Sequence, residues 1–338
     1  MSRRKVAAWG LGALALAALA GCGPDEPAAK PNRRIALVMK SLANPFFKTM
    51  EDGARADQKK NAEFYDLIVN GIKDERDVQK QVDIVEQMIA QRVNAIVIAP
   101  ADSKALVPVC KRALDAAIVV VNIDNEFDEG ALREKHAAIP FVGPDNRKGA
   151  RLAGDHLALR LKPGDEVAIV EGAPNTTNGT MRKLGFREAM DRGGMKIVAS
   201  QTGQWEAKKA EEVVSGMITQ HPNLKAILCA NDSMAIGAVA ALKAADKLGS
   251  VLVVGFDNIS AIQDYIREGK VLCSVDQHAD QIAVEGIRLA LDILTGYEET
   301  KYRETKVDLI TAAELKKADE EALKKKAAAK AGTATATP

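Results

Sequence analysis

Aromatic side chains are scarce in this chain of 338 residues: two Trp, four Tyr and seven Phe. Its core must therefore be largely aliphatic and alanine-rich, and each aromatic can be followed singly. Neither sign of charge is in excess, with 47 Lys+Arg against 46 Asp+Glu and a net charge of +1. A protein drawn to phosphates carries a basic surplus, so no nucleic-acid partner is expected. Cysteine is limited to four residues and histidine to four, without C-x-x-C or metal-ligand spacing. Cys110 lies in a helical pattern, whereas Cys229 and Cys273 lie in apolar strands. They are read as buried thiols, with one disulfide left open. No phosphate loop, no G-x-G-x-x-G after the first strand, no H-E-x-x-H and no G-x-S-x-G elbow occurs. Nothing in the chain calls for a cofactor or a metal, and these absences weigh against an enzyme.

What is present begins with an address. Arg3, Arg4 and Lys5 precede an apolar run from Val6 to Ala20 that is too short for an ordinary membrane span. The run ends in Leu19-Ala20-Gly21-Cys22, which resembles the bacterial lipobox, where the cysteine sulfur is lipidated and the cysteine becomes the mature N-terminus. The resemblance implies a signal peptide over residues 1–21, a lipid anchor on Cys22 and an exported, membrane-attached chain on the periplasmic or extracytoplasmic face. Residues 22–33, with Pro24, Pro27 and Pro31, read as a tether.

The body alternates short apolar runs with amphipathic stretches. Ile35–Met39, Leu67–Val69, Ala95–Ala99 and Ile118–Ile123 read as strands, separated by helices. A second series runs through Val167–Val170, Ile197–Ser200, Ala226–Cys229, Val251–Gly255 and Val271–Val275. Unbroken Val/Ile/Leu strands between helices indicate parallel sheets covered on both faces. Two such series, with a break near Phe141–Asn146, predict two α/β domains with doubly wound parallel sheets and a ligand cleft between them. Residues 313–338, rich in Lys and Ala, read as a solvated extension, helical in part or disordered.

Polar and aromatic residues break the apolar pattern just after the strands. They are Lys40, Asn44, Phe46 and Phe47, then Asp124 and Asn125, then Arg182, Trp205, Asn231, Phe256, Asp257 and Gln277. Asp232, next to Asn231, can be explained as a helix cap alone. Taken together, the set supplies aromatic planes, carboxylates, amides and two cations. A sugar ring needs this mixture, because its C–H faces are apolar and its rim of hydroxyls both donates and accepts.

The runs Ser41-Leu42-Ala43-Asn44-Pro45-Phe46-Phe47, Ala230-Asn231-Asp232-Ser233-Met234-Ala235, Val253-Val254-Gly255-Phe256-Asp257 and Val275-Asp276-Gln277 resemble the ribose- and allose-binding proteins of bacterial ABC importers. The similarity extends from about Arg34 to Leu309. It implies the periplasmic binding protein type I fold, with a three-segment hinge. The first domain would comprise residues 34–144 and 278–305, and the second residues 145–277 and 306–312. It further implies that Asn44 binds hydroxyls and that Phe46 and Phe47 cover one sugar face, with Trp205 on the other. Asp124 would take two hydroxyls, and Arg182 would lie near the ring oxygen. Asn231, Asp257 and Gln277, with Phe256 beside them, would complete the polar set. Two positions depart from the ribose pattern. Lys40 stands where ribose binders have a small hydroxyl residue and allose binders have Lys. Asn125 stands where the two groups have Arg and Glu.

The function that follows is a lipid-anchored solute-binding protein. It would capture an allose- or ribose-like sugar, a related ketose or a polyol, and pass it to an ABC permease. A monomer without enzymatic activity is expected. The alternative is a sugar- or signal-sensing component on the same fold. A transcription regulator is disfavoured, since no helix-turn-helix precedes Arg33. Catalysis by an Asp124–Asp257 acid–base pair is the least supported reading.

Overall fold

The computed structural model describes residues 33–297 and 302–334. The signal segment, Cys22 and most of the tether lie outside the described residues.

The first half of the chain opens with β1 (Arg33–Ser41), α1 (Pro45–Lys60), β2 (Tyr65–Ile72), α2 (Val78–Ala90), β3 (Ala95–Ile98) and α3 (Val107–Asp115). It continues with β4 (Val119–Ile123), the short α4 (Glu129–Glu134) and β5 (Phe141–Pro144). The second half contains α5 (Asn146–Ala158), β6 (Glu166–Glu171), α6 (Thr177–Gly193), β7 (Lys196–Thr202), α7 (Ala207–Gln220), β8 (Ala226–Cys229) and α8 (Asp232–Ala244). It proceeds through β9 (Leu252–Val254), α9 (Ser260–Arg267), β10 (Cys273–Asp276) and α10 (Ala279–Leu294). After the undescribed residues 298–301 come β11 (Tyr302–Thr305), β12 (Asp308–Thr311) and α11 (Ala312–Ala334).

Two six-stranded sheets result, in the orders β11-β5-β4-β3-β1-β2 and β12-β10-β9-β8-β6-β7. Among the described residues, all strand pairings are parallel except that of β10 with β12. This is the doubly wound α/β architecture expected from the alternation of runs. In β1, Ile35, Leu37 and Met39 join the core shared with α1, while Ala36 and Val38 face the core under α2 and α3. The period of two places consecutive residues on opposite faces, and both faces are covered. Cys110, Cys229 and Cys273 are buried free thiols.

The chain crosses between the sheets three times: after β5, after β10 and after β11. His278 and Asp308 tie the second and third crossings, with Nε2 2.8 Å from Oδ2. In each sheet the order reverses around the first strand to enter it, β1 or β6. Ligands in such folds sit beyond the carboxyl ends of the strands at this switch point. The second sheet is braced by α5 against α6. There a side chain on Gly185 would meet the Arg147 carbonyl at 2.2 Å, so only glycine allows the approach that places α6.

The structure extends the elements read from sequence at several places. The helical pattern in the sequence runs from Met181 to Arg192, and helix α6 begins one turn earlier, at Thr177. Phe141–Pro144, read as a break, is a sheet strand. Strands β11 and β12 carry little apolar patterning and are held mainly by pairing with β5 and β10. The Lys/Ala-rich extension is helical as α11 and exposed over most of its described length.

Candidate functional site

The carboxyl ends of both sheets face one small cavity lined mainly by polar and aromatic side chains. Its walls are Lys40, Asn44, Phe46, Phe47, Glu75 and Asp124 from the first sheet's loops, and Asn178, Arg182, Trp205, Asn231, Asp257 and Gln277 from the second's.

Local chemistry places each group. Asn44 caps α1 by accepting from the Phe46 N–H at 3.1 Å, and Pro45 starts the helix behind it. The capping turn thereby projects Phe46 and Phe47, whose rings meet edge to face at 5.1 Å. The free amide of Asn44 donates to Glu75 at 2.9 Å. Asp124 turns out of β4 with φ of 60°, and Trp205 follows β7 with φ of 69°. The Trp205 ring lies against bare backbone, since a side chain on Gly172 would come within 2.1 Å of it. Asn231 caps α8 by accepting from the Met234 N–H at 2.9 Å, and its amide donates to the Trp205 carbonyl.

Two buried ion pairs face each other across the cavity. Lys40 Nζ is 3.2 Å from Asp124 Oδ2, and Arg182 Nη1 is 3.3 Å from Asp257 Oδ1. Arg182 also donates to Asn146 Oδ1 at 2.8 Å and to the Ala230 carbonyl at 2.9 Å. Its guanidinium lies 3.8 Å from the Phe256 ring centroid, a cation–π arrangement. Lys40 Nζ lies 5.8 Å from the ring centroids of both Phe47 and Trp205. Buried charges need compensation: each of these is ion-paired, and Arg182 and Asp257 have further hydrogen bonds, Asp257 accepting from the Gln277 amide at 2.7 Å.

Desolvation marks the carboxyls. Burial raises the pKa of Asp257, against the opposing pull of Arg182. Burial likewise raises Glu75, opposed chiefly by Lys40. Behind the wall Asp232 is raised by burial and by Asp257, although it accepts from Ser274 Oγ and the Ile259 N–H. Among the described residues, several polar atoms at the cavity lack a hydrogen-bond partner. Asp124 Oδ2, Trp205 Nε1 and Gln277 Oε1 are buried in this condition. A buried donor or acceptor left unmatched costs about 1–3 kcal/mol, so a polyhydroxy ligand has bonds to gain here.

Ten of the twelve residues singled out from sequence line the cavity. Phe256 lies behind it, fully buried under Arg182. Asn125 also points away from it. Its amide donates to the Pro100 carbonyl at 2.9 Å, and its oxygen accepts from the Asn178 N–H at 3.2 Å. Lys40 is 2 % exposed, so it is a wall of the site and not a charge on the rim. Sequence reasoning missed Glu75 and Asn178. Both sit in polar runs just past a strand, the signal that found the others. Glu75 is hidden among Asp74, Arg76 and Asp77, which look like the charged start of α2.

Comparison with known proteins agrees with the two-sheet fold. The periplasmic binding protein domain model matches residues 35–298. The D-ribose/D-allose-binding protein of Pseudomonas aeruginosa is 56% identical over 92% of this chain and 98% of its own length. The D-allose-binding periplasmic protein of Escherichia coli is 34% identical over 76% of this chain and 83% of its own. Among solved structures, a solute-binding protein from Burkholderia multivorans superposes with a TM-score of 0.82 at 56% identity, covering 83% of this chain and all of that one. It holds an unknown ligand represented as α-D-erythrofuranose. A solute-binding protein from Actinobacillus succinogenes with bound D-allose superposes with a TM-score of 0.81 at 34% identity, covering 85% of this chain and all of that one. The two-sheet fold and these similarities together assign the chain to the periplasmic binding protein family, among the sugar-binding solute-binding proteins of bacterial ABC transporters.

Proposed function

We propose that this protein captures one monosaccharide, allose- or ribose-like, or a related ketose or polyol, between its two domains and hands it to an ABC permease. The residue ranges 34–144 with 278–305, and 145–277 with 306–312, act as the two bodies, and the three crossings act as the hinge. Sugar holds them closed by touching both, which shifts a pre-existing equilibrium. Phe46 and Phe47 cover one face of the ring and Trp205 the other. Asp124 accepts from adjacent hydroxyls, Arg182 donates near the ring oxygen, and Asn44, Asn231, Asp257 and Gln277 complete the rim. Cys22 carries a lipid that keeps the protein at the extracytoplasmic membrane surface.

The observation that carries this reading is the cavity itself. Aromatic faces close it from opposite sheets, each of its two cations is paired with an aspartate, and unmatched polar atoms line it. Such a site suits a neutral, hydroxyl-rich ring better than an ion. The test is a panel of pentoses, hexoses and polyols against the purified chain, read by Trp205 fluorescence and by melting temperature. Trp9 is the other tryptophan, so Trp205→Phe identifies the responding ring. At a sugar concentration 100 times Kd, binding stabilises the fold by about 2.7 kcal/mol. A panel that moves neither emission nor melting temperature overturns the proposal.

A further inference from the structure

Helix α6 carries Arg182 into the cavity, yet its N-cap residue does not cap it. Its N-cap residue Thr176 makes no side-chain bond to the helix, because its hydroxyl donates to the Ala173 carbonyl at 2.6 Å. The first N–H groups of any helix have no partner within the helix and need one from outside. Here the partners come from the opposite domain. The Thr177 N–H donates to Ser103 Oγ at 3.0 Å, and the Asn178 N–H donates to Asn125 Oδ1 at 3.2 Å.

The pair is built for this task. Ser103 Oγ also donates to Asn125 Oδ1 at 3.3 Å and takes the Thr177 hydroxyl at 3.0 Å. The Ser103 N–H donates to the Asn175 carbonyl at 3.1 Å, and Asn175 bonds Asp102 beside it. Asn125 is fully buried and Ser103 is 4 % exposed. On the first-domain side, Asn125 is fixed by its donation to Pro100 and by Asn122, whose amide donates to the Asn125 carbonyl at 2.9 Å. None of these groups lines the cavity except Asn178.

We propose that Ser103 and Asn125 are positioning residues that latch the cleft shut by capping α6 across the domain gap, setting the lifetime of the closed form and not the choice of sugar. The inference rests on the sugar-binding reading for its ligand but not for its geometry. Opening would return the Thr177 and Asn178 N–H groups to water, so the latch contributes only the modest margin by which a cap exceeds hydration. That margin applies equally whatever ring fills the cavity.

The test uses the full chain with D-ribose and D-allose, measuring Kd by calorimetry and koff by stopped-flow Trp205 fluorescence. Ser103→Ala and Asn125→Ala should each raise Kd for both sugars by the same factor, about tenfold, nearly all of it in koff. Ser103→Thr, which keeps the hydroxyl, should stay near wild type. Hydrogen exchange of the segment 174–181 should slow on adding sugar to wild type and slow less in the alanine variants. A change of more than about threefold in the ratio of the two Kd values would mark Asn125 as a direct sugar contact and overturn the latch. Unchanged koff and exchange would overturn it as well. If wild type binds neither sugar, the functional reading fails, and the latch is judged on the sugar-free chain. Exchange over 174–181 should then be faster in Asn125→Ala than in wild type, and equal rates overturn it.

Discussion

Lys40 and Asp124 illustrate how one side chain sets the demands on another. Both are almost completely buried, and Asp124 Oδ2 has no hydrogen-bond partner beyond the ion pair with Lys40. Lys40→Met should therefore strand a buried carboxylate and destabilise the sugar-free chain by about 3–5 kcal/mol in urea unfolding. Adding Asp124→Asn should recover most of that loss, since Asn tolerates the left-handed backbone at this position. Equal destabilisation of the single and double variants would refute the pairing argument. Glu75 gives a second prediction, with the sign fixed by its raised pKa. The charged and titratable groups around it are Lys40, Asp124 and Glu206. As pH climbs past the unfolded Glu pKa of about 4.3, the folded state retains a proton that the unfolded chain has released. Stability from this group is thus lost as pH rises toward the folded pKa. Glu75→Gln keeps the oxygen that accepts from Asn44 and cannot titrate. Its melting temperature relative to wild type should therefore increase from about pH 4 upward, and a constant difference would contradict the assignment.

At the scale of elements, legibility followed the source of the stabilisation. The central strands are apolar on both faces, and their sequences declare it. The first turn of α6 was missed because its cap comes from Ser103 and Asn125, more than fifty residues earlier in the chain, and no local pattern encodes that. Strands β11 and β12 were passed over because they are short edge strands defined by their partners. Helix α11 shows the reverse case, a helix-forming composition that needs little tertiary support. Leu315 is buried and Asp319 meets Arg267 at 3.0 Å, whereas residues 320–328 are exposed. A chain ending at residue 320 should unfold within about 0.5 kcal/mol of the full chain. One ending at residue 311 should lose about 1.5–3 kcal/mol through Leu315, as read by urea denaturation. A large loss from the shorter deletion would show that the end of α11 packs on something of consequence.

For the whole molecule, the decisive feature is that two sheets present their carboxyl ends to the same small space. Neither sheet's loops form a site alone, because the aromatic faces, the two ion pairs and the amides are divided between them. The sequence by itself determined the alternating α/β pattern of two sheets, the location of polar groups at strand ends and ten residues of the cavity wall, because each of these is written in local periodicity and type. Only the tertiary structure decided which charge meets which, that Glu75 and Asn178 belong to the wall, and that Asn125 faces the other domain and not the cavity. Those outcomes depend on distances between residues far apart in the chain, and a hydrogen bond is decided within a fraction of an ångström. Sequence patterns specify which side chains are buried; the packing of one domain against the other specifies what each buried polar atom finds there.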